Sequence, residues 1–167
     1  MKQIILCILV VGASLFQGCT APLVNISGAE QYKDLVGRRF RLRGDCYVYF
    51  HSDETKKLPC VCDKRSIPSS ITSAWFGKDI NGQIFVGALQ KDTEFRLESV
   101  YRQKVVSSYS SVRYYFIISL EGAGQARWPK LDAIDLTDCN STDYFKRQPM
   151  LPMFLPKYVE LVDAAKQ

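Results

Sequence analysis

Alternation of apolar and polar side chains with a period of two is the feature that most restricts the fold of this 167-residue chain. In residues 39–43, three arginines fall on one face of an extended segment, and Phe40 and Leu42 fall on the other. Successive side chains point to opposite faces of a β-strand, so this pattern predicts a half-buried strand. The other stretches predicted as strands are 46–50, Gln83–Leu89, 94–106, 112–120, 131–136 and 157–162.

Turn-forming residues separate these stretches. Asn81-Gly82 is typical of a two-residue hairpin turn, and the serine-rich residues 107–111 are predicted to form a second hairpin loop. The apolar alternation slips between Leu97 and Val100, which predicts a β-bulge near Glu98-Ser99. Segments 28–36 and 140–147 are predicted as short helices. The predicted fold is therefore mainly β: a small antiparallel β-barrel or a sandwich with one or two short helices.

One short segment favours a barrel over a sandwich. Residues 86–97 read VGALQKDTEFRL, with Asp92 in the turn. This segment resembles the strand-turn-strand of bacterial SH3-like barrels, which often reads Gly-x-Leu-x-x-Gly-Thr-x-Val-x-Ile. Asp92 stands where that pattern has glycine. The resemblance implies an SH3-like or related barrel.

The N-terminus has the features of an export signal. Lys2 precedes the almost wholly apolar residues 4–16, and the first acidic residue is Glu30. This apolar run is shorter than the roughly 20 residues needed to span a bilayer and is typical of a signal peptide. It ends in residues 15–19, which read LFQGC and resemble the lipobox of bacterial lipoproteins.

The resemblance to lipoproteins implies lipid attachment to the thiol of Cys19, cleavage after Gly18 and acylation of the new amino group. More than one acyl chain is needed for a stable membrane anchor. The residue after the cysteine is Thr20 and not aspartate. In lipoproteins this implies sorting to the outer membrane, where the protein would face the periplasm. The predicted organisation is a signal peptide at 1–18, a lipidated tether at 19–27 and a single β-rich domain at 28–167.

The remaining cysteines are interpreted as structural. Cys7 lies in the signal peptide, so four cysteines remain in an oxidising compartment, where disulfides are common; they are Cys46, Cys60, Cys62 and Cys139. A bond between Cys60 and Cys62 would close a strained loop. Two pairings remain, and each joins one of these two cysteines to Cys46 and the other to Cys139. Metal binding and disulfide exchange by Cys60-Val61-Cys62 are the alternative interpretations.

Patterns that would indicate an enzyme are missing from the sequence. There is no Gly-x-Ser-x-Gly elbow, phosphate loop or metalloprotease helix. His51, the only histidine, is interpreted as a surface residue, although it lies beside Asp53 and Glu54 and has an alternative interpretation as an acid or base. The net charge of +5 is well below that of a nucleic-acid-binding domain. We therefore expect no catalysis, metal, cofactor or nucleic acid.

Aromatic residues in loops give the candidate binding surface. Trp75, Phe76 and Trp128 are expected either to bind a partner or to plug the ends of a barrel. The first functional hypothesis is an envelope lipoprotein that acts by contact with another protein, as an accessory, assembly, inhibitor or immunity component. The alternative is a module that binds peptidoglycan or another glycan of the envelope.

Overall fold

A computed structural model of the chain describes residues 22–52, 58–67, 73–105, 111–122, 127–138 and 152–162. The predicted signal peptide, Cys19, Cys139 and the predicted helix at 140–147 lie outside these residues. The described part is mainly β, as predicted, and its strands form one sheet. The strands are β1 (Val24–Asn25), β2 (Arg39–Leu42), β3 (Cys46–His51), β4 (Cys60–Asp63), β5 (Asp79–Ile80), β6 (Gln83–Leu89), β7 (Glu94–Val105), β8 (Ser111–Leu120), β9 (Leu131–Asp132) and β10 (Val159–Leu161).

The sheet consists of two halves joined by one short strand. Its order is β10-β2-β7-β8-β9-β4-β3-β6-β5, and β1 pairs separately with β7. The first half runs from β10 to β8 and the second from β4 to β5. Strand β9 pairs antiparallel with β8 at Ile117 and Ile118, and parallel with β4 at Cys60.

The main core lies against inner faces from both halves. It contains Leu42, Leu97 and Phe116 from the first half, and Val48 and Val61 from the second, all fully buried. Burial of these side chains removes apolar surface from water, and this removal is the main favourable contribution to folding. The sheet is thus curved around one core, and this core fixes the relative position of the halves.

The predicted Asn81-Gly82 turn and the predicted bulge are confirmed, whereas most of the predicted loop at 107–111 lies outside the described residues. Asn81 and Gly82 have φ angles of 53° and 81° between the paired strands β5 and β6. Positive φ at both central residues is the requirement of a type I′ hairpin turn. In β7 the register with β8 shifts between Leu97 and Ser99, where the sequence alternation slips.

The predicted barrel is wrong: the sheet is not closed. Among the described residues, the end strands β10 and β5 do not pair with each other. The SH3-like segment does not form a hairpin, because β6 pairs with β3 while β7 pairs with β2 and β8. Asp92 has a φ of 67°, so it adopts the left-handed conformation for which the SH3-like pattern uses glycine. The turn resembles the pattern, but it joins the two halves of an open sheet.

Two segments differ from their predicted structure. The predicted strand at 131–136 is only the two-residue β9, followed by a 3-10 helix at Ile134–Leu136. The predicted helix at 28–36 is a series of turns, with the amide of Tyr32 bonded to the carbonyl of Ala29. Ser27 does not cap these turns, since its hydroxyl accepts the amide of Val100 in β7.

The end of the predicted tether joins the sheet. Val24 and Asn25 pair with Arg102 and Tyr101, and Ile26 packs against the main core. Across the described ranges, no helix combines the length and the apolar character needed to cross a membrane.

The arginines that alternate in β2 form a charged network on the outer face of the first half. Arg41 contacts Glu94 in β7 at 2.7 Å and Glu160 in β10 at 3.4 Å. Arg43 also contacts Glu160, at 3.4 Å. Oppositely charged side chains on adjacent strands support the pairing, although exposed pairs contribute little each. We therefore assign these arginines a structural role.

Candidate functional site

The second half of the sheet has a second apolar cluster, on the face turned away from the main core. Alternation in β3 directs Tyr47 and Tyr49 to this face and Cys46 and Val48 to the main core. The cluster consists of Tyr47, Tyr49, Cys60, Cys62 and Phe85, with Ile67, Phe76 and Ile80 packed against it. We call this surface the second face.

The described residues cover the second face only in part, and a cavity of about 400 Å³ remains over its Tyr49 end. Aromatic rings and small polar side chains surround this cavity, which we call the Tyr49 pocket. It is lined by Tyr49, His51, Cys62, Ser66, Ile67, Ile80, Asn81, Gln83, Asp135 and Tyr158. An apolar pocket with a few convergent polar groups is a common form of binding site.

A carboxylate is held against the floor of the Tyr49 pocket. The hydroxyl of Tyr49 donates to Oδ2 of Asp135 over 2.5 Å. Asp135 belongs to the 3-10 helix Ile134–Leu136, which packs beside β4. Burial raises the pKa of Asp135, while the hydrogen bond from Tyr49 and the proximity of His51 oppose this increase. Burial and the neighbouring carboxylate together raise the pKa of Tyr49.

His51 lies at the rim of the pocket and is exposed. Its ring meets the ring of Tyr49 nearly edge to face, with centroids 5.2 Å apart. The structure thus places His51 with Tyr49 and Asp135. The alternative interpretation of His51 as an acid or base named Asp53 and Glu54 as its neighbours, and these two residues lie outside the described part of the chain.

The predicted disulfide stapling is not supported, because Cys46, Cys60 and Cys62 are free and buried. Cys46 points into the main core, while Cys60 and Cys62 lie on the second face. Cys46 therefore lies on the opposite side of the sheet from both of its predicted partners. Burial raises the pKa of all three thiols, and for Cys46 it does so to about 12. Such thiols contain little of the reactive thiolate at neutral pH.

The three aromatic residues predicted as a binding surface do not lie together. Trp75 is 42% exposed, in a 3-10 helix at Ser73–Trp75, and Lys78 lies over its ring. Phe76 is half-buried on the second face against Tyr47, with ring centroids 6.0 Å apart. Trp128 packs against the main core, beside Gly87. Trp75 is thus the exposed member of the three, and Trp128 lies on the other side of the sheet.

Sequence reasoning missed the contact between Tyr49 and Asp135, which are 86 residues apart. The alternation in β3 does place Tyr47, Tyr49 and His51 on one face. Residues 131–136 were predicted to be a strand, and no local pattern indicated that Asp135 turns towards that face.

Within the described ranges, no group of three or more His, Cys, Asp or Glu side chains is arranged to hold a metal ion. Comparison of the chain with family models, with curated proteins and with solved structures gave no match. The residues themselves are therefore the basis for proposing a function.

Proposed function

We propose that this chain is a lipoprotein anchored in the outer membrane, facing the periplasm, and that it acts by non-covalent contact with a protein partner. The lipobox-like residues 15–19 support the location, with Cys19 as the lipid attachment site. The second face supports the mode of action. In this proposal the protein is a binding component of the envelope, an accessory, assembly, inhibitor or immunity factor, and not an enzyme.

The observation that carries the proposed contact is that the described residues leave part of the second face uncovered. The Tyr49 pocket is large enough to receive a side chain, and Trp75 is exposed on the segment that covers the Tyr47 end of the same face. Tryptophan and tyrosine are enriched among residues that dominate binding energy at interfaces. A partner that covered both features would remove this apolar surface from water.

Site-specific cross-linking tests the contact. A photoreactive phenylalanine analogue in place of Trp75 is expected to give an adduct of one defined mass in intact cells. The same analogue in place of Glu30, whose side chain is 85% exposed away from the second face, is the matched control and should not give that adduct. Absence of any adduct from position 75 would contradict the proposed contact.

Sedimentation with purified peptidoglycan tests the alternative function. Under our proposal, the mature protein, from which the signal peptide has been removed, remains in the supernatant. Co-sedimentation that is lost in Trp75→Ala would favour the glycan-binding alternative instead.

The lipid anchor is tested separately with Cys19→Ser. The variant should lose the mass of the attached lipid and no longer fractionate with membranes, because the anchor contributes about 0.8 kcal/mol per buried methylene. An unchanged mass and unchanged membrane association would contradict the proposed location.

A further inference from the structure

We infer that the Tyr49 pocket binds a single primary ammonium group, the side chain of a lysine on the protein partner. This inference rests on the proposed function, because it names what the partner inserts into the second face. The carboxylate of Asp135 is the group that would receive it.

Asp135 has one carboxylate oxygen committed and one available. Oδ2 accepts the hydroxyl of Tyr49, and among the described residues no side chain donates to Oδ1. Asp135 lines the cavity, and its Oδ1 is not among the buried side-chain atoms that lack a partner. The free oxygen is therefore accessible to a ligand in the pocket.

The charge of Asp135 is poorly compensated within the described part of the chain. The carboxylate of Asp135 forms no ion pair there. His51 is the only described side chain whose positive charge would favour the ionised form of Asp135. Two cations, Arg65 and Lys157, lie over the ring of Tyr158 at 5.9 and 4.5 Å from its centroid, and neither forms an ion pair with Asp135. Arg65 is held by both oxygens of Asp63, at 2.8 Å each. Asp135 is half-buried, and a carboxylate removed from water without a counter-charge is costly, so a cationic ligand gains more there than a neutral hydroxyl does.

The geometry favours an ammonium over a guanidinium. Arginine binds carboxylates best through two parallel hydrogen bonds, which need both oxygens. Tyr49 already occupies one of them. A lysine ammonium is a compact donor that can bond to Oδ1 alone.

The sole histidine of the chain provides a direct reporter. His51 lines the pocket, so its imidazole proton resonance monitors occupancy without ambiguity. The probe is Nα-acetyl-lysine methylamide, titrated into the full-length processed protein in detergent micelles. We expect a saturable shift of the His51 resonance, no shift with the uncharged norleucine analogue, and binding at least fivefold weaker with the arginine analogue.

Charge variants locate the site. Asp135→Asn keeps an oxygen acceptor for Tyr49 but removes the charge, and it should weaken lysine binding at least tenfold. Asp34→Asn is the matched control: it removes the same charge from an exposed residue whose backbone carbonyl, and not its side chain, contacts Arg38. An unchanged affinity in Asp135→Asn, or equal loss in both variants, would overturn the inference.

Lower pH should weaken lysine binding. Burial raises the pKa of Asp135, and protonation of this carboxylate removes the attraction for the ammonium group. The other titratable side chains that line the pocket are those of His51, Cys62, Tyr49 and Tyr158. Binding that strengthens as the pH falls from 7 to 5 would contradict the assignment to Asp135.

The outcomes separate this inference from the proposed function. If the Trp75 adduct forms but the lysine probe does not bind, the inference fails and the proposed contact stands. If the lysine probe binds but no adduct forms, the proposed contact fails and the assignment of the pocket stands. A soluble peptidoglycan fragment that binds more tightly than the lysine probe, and equally well after its amine is acetylated, would overturn the inference and favour a glycan.

Discussion

Asp132, at the junction of the two half-sheets, has a side chain that holds two backbone amides. Its Oδ1 accepts the amide of Phe116 in β8 at 2.8 Å and that of Ile134 at 3.1 Å. Its own amide donates to the carbonyl of Pro59, just before β4. Burial raises the pKa of this carboxyl to about 7, and the two amide hydrogen bonds oppose the increase.

The raised pKa of Asp132 predicts a pH dependence of stability. The folded-state pKa lies above that of an unfolded aspartate, so this contribution is fully present below about pH 4 and is lost as the pH rises to about 7. Asp132→Asn keeps the acceptor and removes the ionisation. The stability of Asp132→Asn, measured as its free energy of unfolding minus that of the native protein, should therefore increase by ~4 kcal/mol between pH 4 and pH 8. Urea denaturation at several pH values measures this difference, and a constant difference would contradict the expectation.

Loss of the Asp132 acceptor should have the opposite effect. Asp132→Ala leaves the amides of Phe116 and Ile134 without their partner, at a cost of about 1–3 kcal/mol for each buried donor. We expect this variant to be clearly less stable than Asp132→Asn at every pH. Equal stability of the two variants would show that the amides find other acceptors.

The hydroxyl of Tyr49 should matter most when Asp135 is charged. In Tyr49→Phe the carboxylate loses its hydrogen bond, so the pKa of Asp135 should rise further. A hydrogen bond to a charged group is worth about 1.5–3 kcal/mol, and the destabilisation should shrink as falling pH protonates Asp135. Unfolding measured at pH 8 and pH 4 tests this, and a larger loss at pH 4 would contradict it.

At the scale of single elements, β6 depends on a bulge and a glycine. The register of β3 with β6 shifts between Val48 and Tyr49, which pair with Gly87 and Phe85 respectively. Val86 is therefore the extra residue, and its carbonyl accepts the side chain of Arg127 at 2.9 Å. The bulge places Phe85 on the second face and Gly87 on the main-core side.

Gly87 is needed because Trp128 lies against its backbone. A Cβ at this position would be 2.5 Å from two atoms of the indole ring. Gly87→Ala must therefore displace Trp128, at a cost of ~1–3 kcal/mol for overpacking. Gly28→Ala is the matched control, since a Cβ there meets nothing within 4 Å.

Fluorescence reports the displacement directly. The chain has two tryptophans, and in a Trp75→Phe background Trp128 is the only emitter. Gly87→Ala should shift its emission to the red and lower the stability, whereas Gly28→Ala should change neither by much. An unshifted spectrum would mean that the backbone of β6 moves instead of the ring.

At the scale of the whole molecule, the second half has an apolar cluster on each of its faces, and this explains why its cysteines are buried without disulfide bonds. Cys46 is enclosed by the main core, and Cys60 and Cys62 by the second cluster. We expect a maleimide to leave these three thiols unmodified in the native protein and to modify all three after unfolding without reductant. Mass mapping of the alkylated peptides makes the measurement. Thiols that remain blocked in the unfolded protein would show that they are disulfide-bonded.

The sequence alone determined most of the strands, because alternation and turn residues are local properties. Residues 39–43, the Asn81-Gly82 turn and the bulge in β7 were predicted correctly because each follows from neighbours in the chain. The sequence also supplied the proposed lipid site at Cys19, which depends on a contiguous motif.

Only the tertiary structure decided which strands are neighbours and what covers each face. The sequence predicted a disulfide-stapled barrel or sandwich and favoured the barrel, but pairing of β3 with β6 and of β7 with β2 leaves the sheet open. The same pairing puts Cys46 on the opposite side of the sheet from Cys60 and Cys62, and a 3-10 helix brings Asp135 to Tyr49. These contacts join residues distant in sequence and depend on how the two halves enclose the core, which no local pattern encodes.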